Sequence, residues 1–107
     1  MMIKQLSPLQ LKNRIDQQEP LLLLDVREPF EYQYARIDNS VSMPLNQLQE
    51  RLHELDPEQE MVMICHHGIR SLQAALFLEQ SGFNHISNLS GGIDAWSCQC
   101  DSTVLRY

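Results

Sequence analysis

Met61-Val62-Met63-Ile64-Cys65-His66-His67-Gly68-Ile69-Arg70-Ser71 is the stretch around which the rest of this sequence is organised. Four apolar residues run into a cysteine and a short polar loop. Leu72 to Ser81 then carries apolar residues nearly all round a helical wheel and is closed by Gly82. A run of four is too short for a helix and fits a strand buried on both faces. The spacing therefore predicts a cysteine at the C-terminal end of a strand, just before a helix. Helix N-termini favour anions, because their first N–H groups lack intrahelical partners and the dipole is positive there. A thiolate at such a place is expected to have a lowered pKa and to react near neutral pH.

Upstream, Leu21 to Leu24 lies between Pro20 and Asp25 and reads as a second buried strand. Pro29 opens a helix to Ala35, and Val41-Ser42 is a very short strand. Pro44 starts another helix, with Leu45, Leu48, Leu52 and Leu55 along one stripe, and Pro57 stops it. Nearer the N-terminus, Ile3 to Leu6 is a short edge strand. Ser7 is the N-cap of the next helix, Pro8 its first residue, and Gln10 completes a capping box. Leu6 and Leu11 take the two positions of a hydrophobic staple. Downstream, Asn84 to Leu89 is a last strand, Gly91-Gly92 a turn, and Ile93 to Ser97 a final helix bearing Trp96. Cys98 to Tyr107 shows no period. Strand and helix alternate throughout, which predicts an α/β domain with a mainly parallel central sheet flanked by helices on both faces. No repeat or linker divides residues 1–107, so one domain is expected.

Composition narrows the function classes. Of the 107 residues 43% are hydrophobic and 21% charged, with a net charge of −6. That balance argues against nucleic acid or an anionic membrane as the main partner. Met1 to Pro8 holds no apolar leader, so a cytoplasmic location is expected. The three cysteines, Cys65, Cys98 and Cys100, do not suggest a disulfide framework. Cys98-Gln99-Cys100 lacks the spacing of the common redox motif and reads as two incidental tail cysteines, with a resolving role toward Cys65 as the alternative.

Four segments, in order, resemble the rhodanese family of single-domain sulfurtransferases. Asp25-Val26-Arg27-Glu28 with Glu31-Tyr32 resembles its first signature, and Met43-Pro44-Leu45 the entry to its middle segment. Cys65 to Ser71 resembles its active-site loop, and Gly91-Gly92-Ile93-Asp94-Ala95-Trp96 its closing motif. One departure stands out: Ala35-Arg36-Ile37-Asp38-Asn39-Ser40 replaces a Gly-His-Ile-x-Gly-Ala stretch, so Arg36 takes the place of a histidine. Asn39 can still adopt the left-handed conformation a glycine would supply.

The resemblance implies an enzyme that moves sulfane sulfur from a small anionic donor such as thiosulfate to a thiol, cyanide or protein acceptor. The sulfur would rest on Cys65 as a persulfide between two half-reactions. His66, His67, Gly68, Ile69, Arg70 and Ser71 form the expected substrate loop. Its N–H groups cradle an anion, Gly68 permits the turn, and Arg70 pairs with the donor or steadies the loop. His66 and His67 read as loop residues tuning charge and shape rather than as proton carriers. Adjacent histidines rarely converge on one ion, so neither a metal nor another cofactor is expected. Asp25 and Arg27, at a strand's C-terminal end, read first as a structural ion pair or loop anchor, with Arg27 as a supporting anion contact. Two other functions compete. One is a sulfur-carrier or docking module for a sulfur-trafficking partner protein, with little small-molecule turnover. The other is a cysteine phosphatase or arsenate reductase, against which the loop is one residue short: four residues separate Cys65 from Arg70.

Overall fold

The computed structural model describes residues 3–107. The strands are β1 (Lys4–Leu6), β2 (Leu22–Asp25), β3 (Val41–Ser42), β4 (Met61–Ile64) and β5 (Ile86–Leu89). The helices are α1 (Pro8–Asp16), α2 (Pro29–Tyr34), α3 (Ile69–Gln80) and α4 (Gly92–Gln99). All five strands are parallel, in the order β1-β5-β4-β2-β3. Their C-terminal ends therefore share one edge, where open α/β sheets build their sites.

Period-two alternation along the strands divides the core into two layers. Met61 and Met63 of β4, with Leu24 of β2, meet Ala74, Ala75 and Leu78 of α3 on one face. Val62, Ile64 and Leu23 meet Leu11, Ile93 and Trp96 from α1 and α4 on the other. β4 is buried along its whole length, which is why its sequence is uniformly apolar. The capping box at α1 forms as the sequence predicts: Gln10 N donates to Ser7 Oγ at 3.1 Å, and Ser7 N donates to Gln10 Oε1 at 2.9 Å. Leu6 and Leu11 are both buried in one cluster. Asn39 adopts φ 67°.

Two expectations change. The leucine stripe after Pro44 does not form an α-helix. It folds as two 3₁₀ turns, Leu45–Gln47 and Leu52–Glu54. Arg51 (φ −107°, ψ 12°) leaves the helical basin between them, and Leu48 is the stripe residue driven fully into the core. Burial of that side chain against the sheet outweighs helical continuity, and tighter i→i+3 turns meet the need. The helix after the cysteine begins at Ile69 rather than Leu72, because Gly68 (φ 96°) turns the chain straight from the loop into the helix. Arg70 and Ser71 thus stand on the first turn of α3. Among the described residues no helix is long and apolar enough to cross a membrane.

α4 sits where it does because of Gly92. Ile93 N donates to Cys65 O at 2.8 Å, and Asp94 N donates to His66 O at 3.1 Å. A Cβ on Gly92 would overlap both of those carbonyls, and its φ is +64°. Gly82 (φ +96°) has nothing within 4 Å of its missing Cβ. Gly92→Ala should therefore lose on the order of 3 kcal/mol in chemical denaturation, from overlap and backbone strain together. Gly82→Ala should lose only the backbone part, about 1 kcal/mol. Equal losses in the two variants would contradict the close-approach argument.

Candidate active site

Cys65 follows the last residue of β4, and its side chain is almost fully buried, at 1% exposure. Two donors reach its sulfur. Gly68 N lies 3.1 Å from Sγ, and Ser71 Oγ lies 3.2 Å from it. Both come from the turn into α3, a twelve-residue helix whose dipole adds positive potential at its start. The Gly68 peptide is held from the other side as well: Asn88 Nδ2, on β5, donates to Gly68 O at 3.0 Å. Asn88 also donates to Gln5 Oε1 at 3.2 Å and so ties the loop to the sheet edge.

Arg70 points across the loop to Glu31 on α2. Nη1 and Nη2 donate to Oε1 and Oε2 at 2.6 and 2.9 Å, a bidentate pair. Glu31 accepts two more bonds, from Glu28 N at 3.0 Å and from the Tyr107 hydroxyl at 2.7 Å. The hydrogen bonds from Arg70 and Tyr107 outweigh burial and hold the Glu31 carboxyl well down, from 4.5 to about 2. The bonds to Glu31 raise the Arg70 pKa, and Arg70 immediately precedes Ser71, whose hydroxyl reaches the Cys65 sulfur.

Arg27 is completely buried, and the protein occupies every direction of its guanidinium. It bonds both Asp25 oxygens, at 2.9 Å from Nε and 2.6 Å from Nη2. It also donates to the carbonyls of Glu31 and Ala35, at 3.3 and 2.6 Å, and to the Tyr107 hydroxyl at 2.8 Å. It therefore satisfies carbonyls at the C-terminal end of α2 and fixes the helix that presents Glu31.

His66 is half-buried between two rings, with centroids 3.9 Å from both His67 and Tyr107. Burial and the neighbouring His67 push its pKa down. His67 is exposed, with Nε2 4.0 Å from Asp94, whose carboxylate pairs with Arg106 at 2.9 Å. Ligand atoms of His66, His67 and Asp94 lie within 4.8 Å of one another. The imidazoles are stacked, however, with planes 26° apart, so their in-plane lone pairs run side by side rather than meeting. Ile69 faces solvent at 72% exposure.

The loop residues named from sequence thus surround Cys65 unequally. Gly68 and Ser71 touch its sulfur, Arg70 brings a nearby charge, and His66 and His67 form the outer wall. Sequence reasoning missed the roles of Glu31, Asn88 and Tyr107. Glu31 did carry a signal, because Glu28-Pro29 followed by Glu31 has capping-box spacing; Tyr107 carried none.

This architecture is that of a cysteine-loop α/β domain, with a buried sulfur held at the start of a helix. The chain belongs to the family of the rhodanese-like domain, whose model matches residues 7–99. A putative sulfurtransferase of Bacillus subtilis, YtwF, is 36% identical over 90% of this chain and 92% of its own length. The thiosulfate sulfurtransferase GlpE of Coxiella burnetii is 31% identical, over 90% of this chain and 89% of its own. A rhodanese-related protein of Thermoplasma volcanium superposes with a TM-score of 0.82 at 34% identity, over 91% of this chain and 93% of the other.

Two stability predictions follow from these pairs. Because the folded Glu31 pKa is depressed, its contribution is complete above pH 4.5 and is lost as pH falls toward about 2. Glu31→Gln should therefore flatten the fall in melting temperature across that window. Arg27→Met leaves Asp25 buried without its cation and should cost about 3–5 kcal/mol by urea denaturation. A loss below about 1 kcal/mol, the scale of an exposed ion pair, would refute the anchoring role.

Proposed function

We propose that this domain is a rhodanese-type sulfurtransferase that uses Cys65 as a persulfide carrier, with thiosulfate as a competent donor. The observation that carries the proposal is the Cys65 sulfur held by Gly68 N–H and the Ser71 hydroxyl at the start of α3. The names of the sulfurtransferase relatives support it. The Cys65 thiolate attacks the outer sulfur of thiosulfate. A Cys65 S–S bond forms, the bond to the sulfonate sulfur breaks, and sulfite leaves with the electron pair. An acceptor thiolate or cyanide then attacks the outer sulfur of the persulfide. The bond to Cys65 breaks, the thiolate returns, and the product is an acceptor persulfide or thiocyanate. Gly68 N–H and Ser71 O–H stabilise the anionic sulfur in both half-reactions.

Arg70 draws the anionic donor toward the loop, while His66 and His67 shape the entry. Asp25 and Arg27 hold the scaffold and touch no substrate. The acceptor is a small thiophile or a protein thiol, and a sulfur-trafficking partner fits the same chemistry.

Intact mass after incubation with thiosulfate tests the proposal directly. Wild type should gain one sulfur, ~32 Da, that a reductant removes, and Cys65→Ala should gain none. Sulfur loading in Cys65→Ala, or none in wild type, would refute the assignment. Arg70→Ala should raise the KM for thiosulfate roughly tenfold, the effect of one lost charge-assisted contact. An unchanged KM would remove Arg70 from donor recognition.

A further inference from the structure

Tyr107 belongs to none of the sequence segments that mark the site, yet its hydroxyl lies at the centre of the site's charge network. It accepts from Arg27 Nη1 at 2.8 Å and donates to Glu31 Oε2 at 2.7 Å. The same Oε2 accepts from Arg70 Nη2 at 2.9 Å. The ring lies flat on His66, with centroids 3.9 Å apart and planes 10° apart, and meets Tyr34 edge-on at 5.9 Å. The side chain thus joins the buried Asp25–Arg27 pair to the Glu31–Arg70 pair while covering one wall of the cysteine loop. Arg106, the preceding residue, fastens the same tail to Asp94 on α4.

Arg70 is shared between two claims. Glu31 holds both of its Nη atoms, and an anion entering the loop must draw on the positive field that Glu31 leaves uncancelled. A carboxylate oxygen that also accepts from a polarised phenol has part of its charge satisfied elsewhere. The phenol is polarised because it accepts from a guanidinium. Burial and the bond to Glu31 raise its pKa to about 12, so it remains a proton donor at neutral pH.

We propose that Tyr107 is a positioning residue that sets, through Glu31, how much of the Arg70 charge is available to an anion at Cys65. Removing its hydroxyl takes one donor from Glu31 Oε2 and leaves that oxygen to Arg70 Nη2. The pair tightens and the loop loses affinity for anions. The proposal rests on the sulfurtransferase reading only for the identity of the physiological anion, so the test uses a non-reacting one.

The experiment measures protection of Cys65 from iodoacetamide by sulfate, read on the Cys65 peptide by mass spectrometry. It compares wild type, Tyr107→Phe, Glu31→Gln and the double variant. Phenylalanine keeps the ring on His66 and removes only the hydroxyl. Tyr107→Phe should weaken sulfate protection about threefold. Glu31→Gln should strengthen protection by freeing Arg70, and adding Tyr107→Phe to it should change nothing further. An equal threefold loss in both backgrounds, no change in Tyr107→Phe, or no protection of wild type would each overturn the proposal. Persulfide loading from thiosulfate, measured on the same samples, tests the enzymatic reading separately. Protection without loading would sink that reading and leave the role of Tyr107 standing.

Discussion

Two carbonyl groups decide how this fold builds its site. As the chain leaves β4 at Cys65, its backbone stops pairing with neighbouring strands, and the carbonyls of Cys65 and His66 need donors in a buried place. The first turn of α4 has the opposite shortage, N–H groups without intrahelical acceptors. Ile93 N and Asp94 N meet those two carbonyls, so one contact resolves both deficits. The approach is close enough that only a glycine fits at position 92. α4, the last helix, therefore fixes the loop that follows β4, and the loop in turn directs Gly68 N and Ser71 Oγ to the sulfur.

A second device is a line of alternating charge that runs from the scaffold to the loop. Asp25 holds Arg27, and Arg27 holds the end of α2 and the Tyr107 hydroxyl. Tyr107 and Arg70 converge on Glu31. Each member is satisfied by the next, which is the condition under which buried charge is tolerated. One consequence is that α2, a helix of only six residues, can carry a site residue. Its start is closed by Glu31 bonding Glu28 N, and carbonyls near its end are closed by Arg27.

The architecture was largely legible in the sequence because local signals agreed. The apolar runs at Leu21–Leu24 and Met61–Ile64, the prolines opening α1 and α2, and the glycines at 68 and 91–92 mark elements by mechanisms that act within a few residues. The leucine stripe at 45–55 misled for the same reason: its spacing is helical, but packing against the sheet chose 3₁₀ turns. The site was only half legible. Cys65 and its loop are contiguous, so their spacing carries information. Glu31 lies 39 positions from Arg70 and Tyr107 lies 76 from Glu31, separations at which a single sequence has no period to read. Asn88 was masked differently, as a polar residue inside a strand whose purpose appears only when Gly68 O is placed beside it.

The Arg70–Glu31 pair also bears on which chemistry the loop suits. A tetrahedral phosphate dianion is recognised best by a guanidinium that offers it two parallel N–H bonds. Here both Nη atoms are engaged with one carboxylate, whose own pKa is held near 2 by that engagement. Any anion that took both Nη atoms would have to displace the Glu31 carboxylate and leave it with only neutral donors, Glu28 N–H and the Tyr107 hydroxyl, which is costly. Moving a single sulfur atom asks for less: a nucleophile, donors for one anionic sulfur, and a diffuse positive field that draws the sulfonate of the donor without gripping it through both Nη atoms. Gly68 N, Ser71 Oγ and the shared charge of Arg70 meet those needs without breaking the pair. Gly68 N–H and Ser71 O–H converge on one sulfur atom, the placement that an anionic sulfur carried on Cys65 would need.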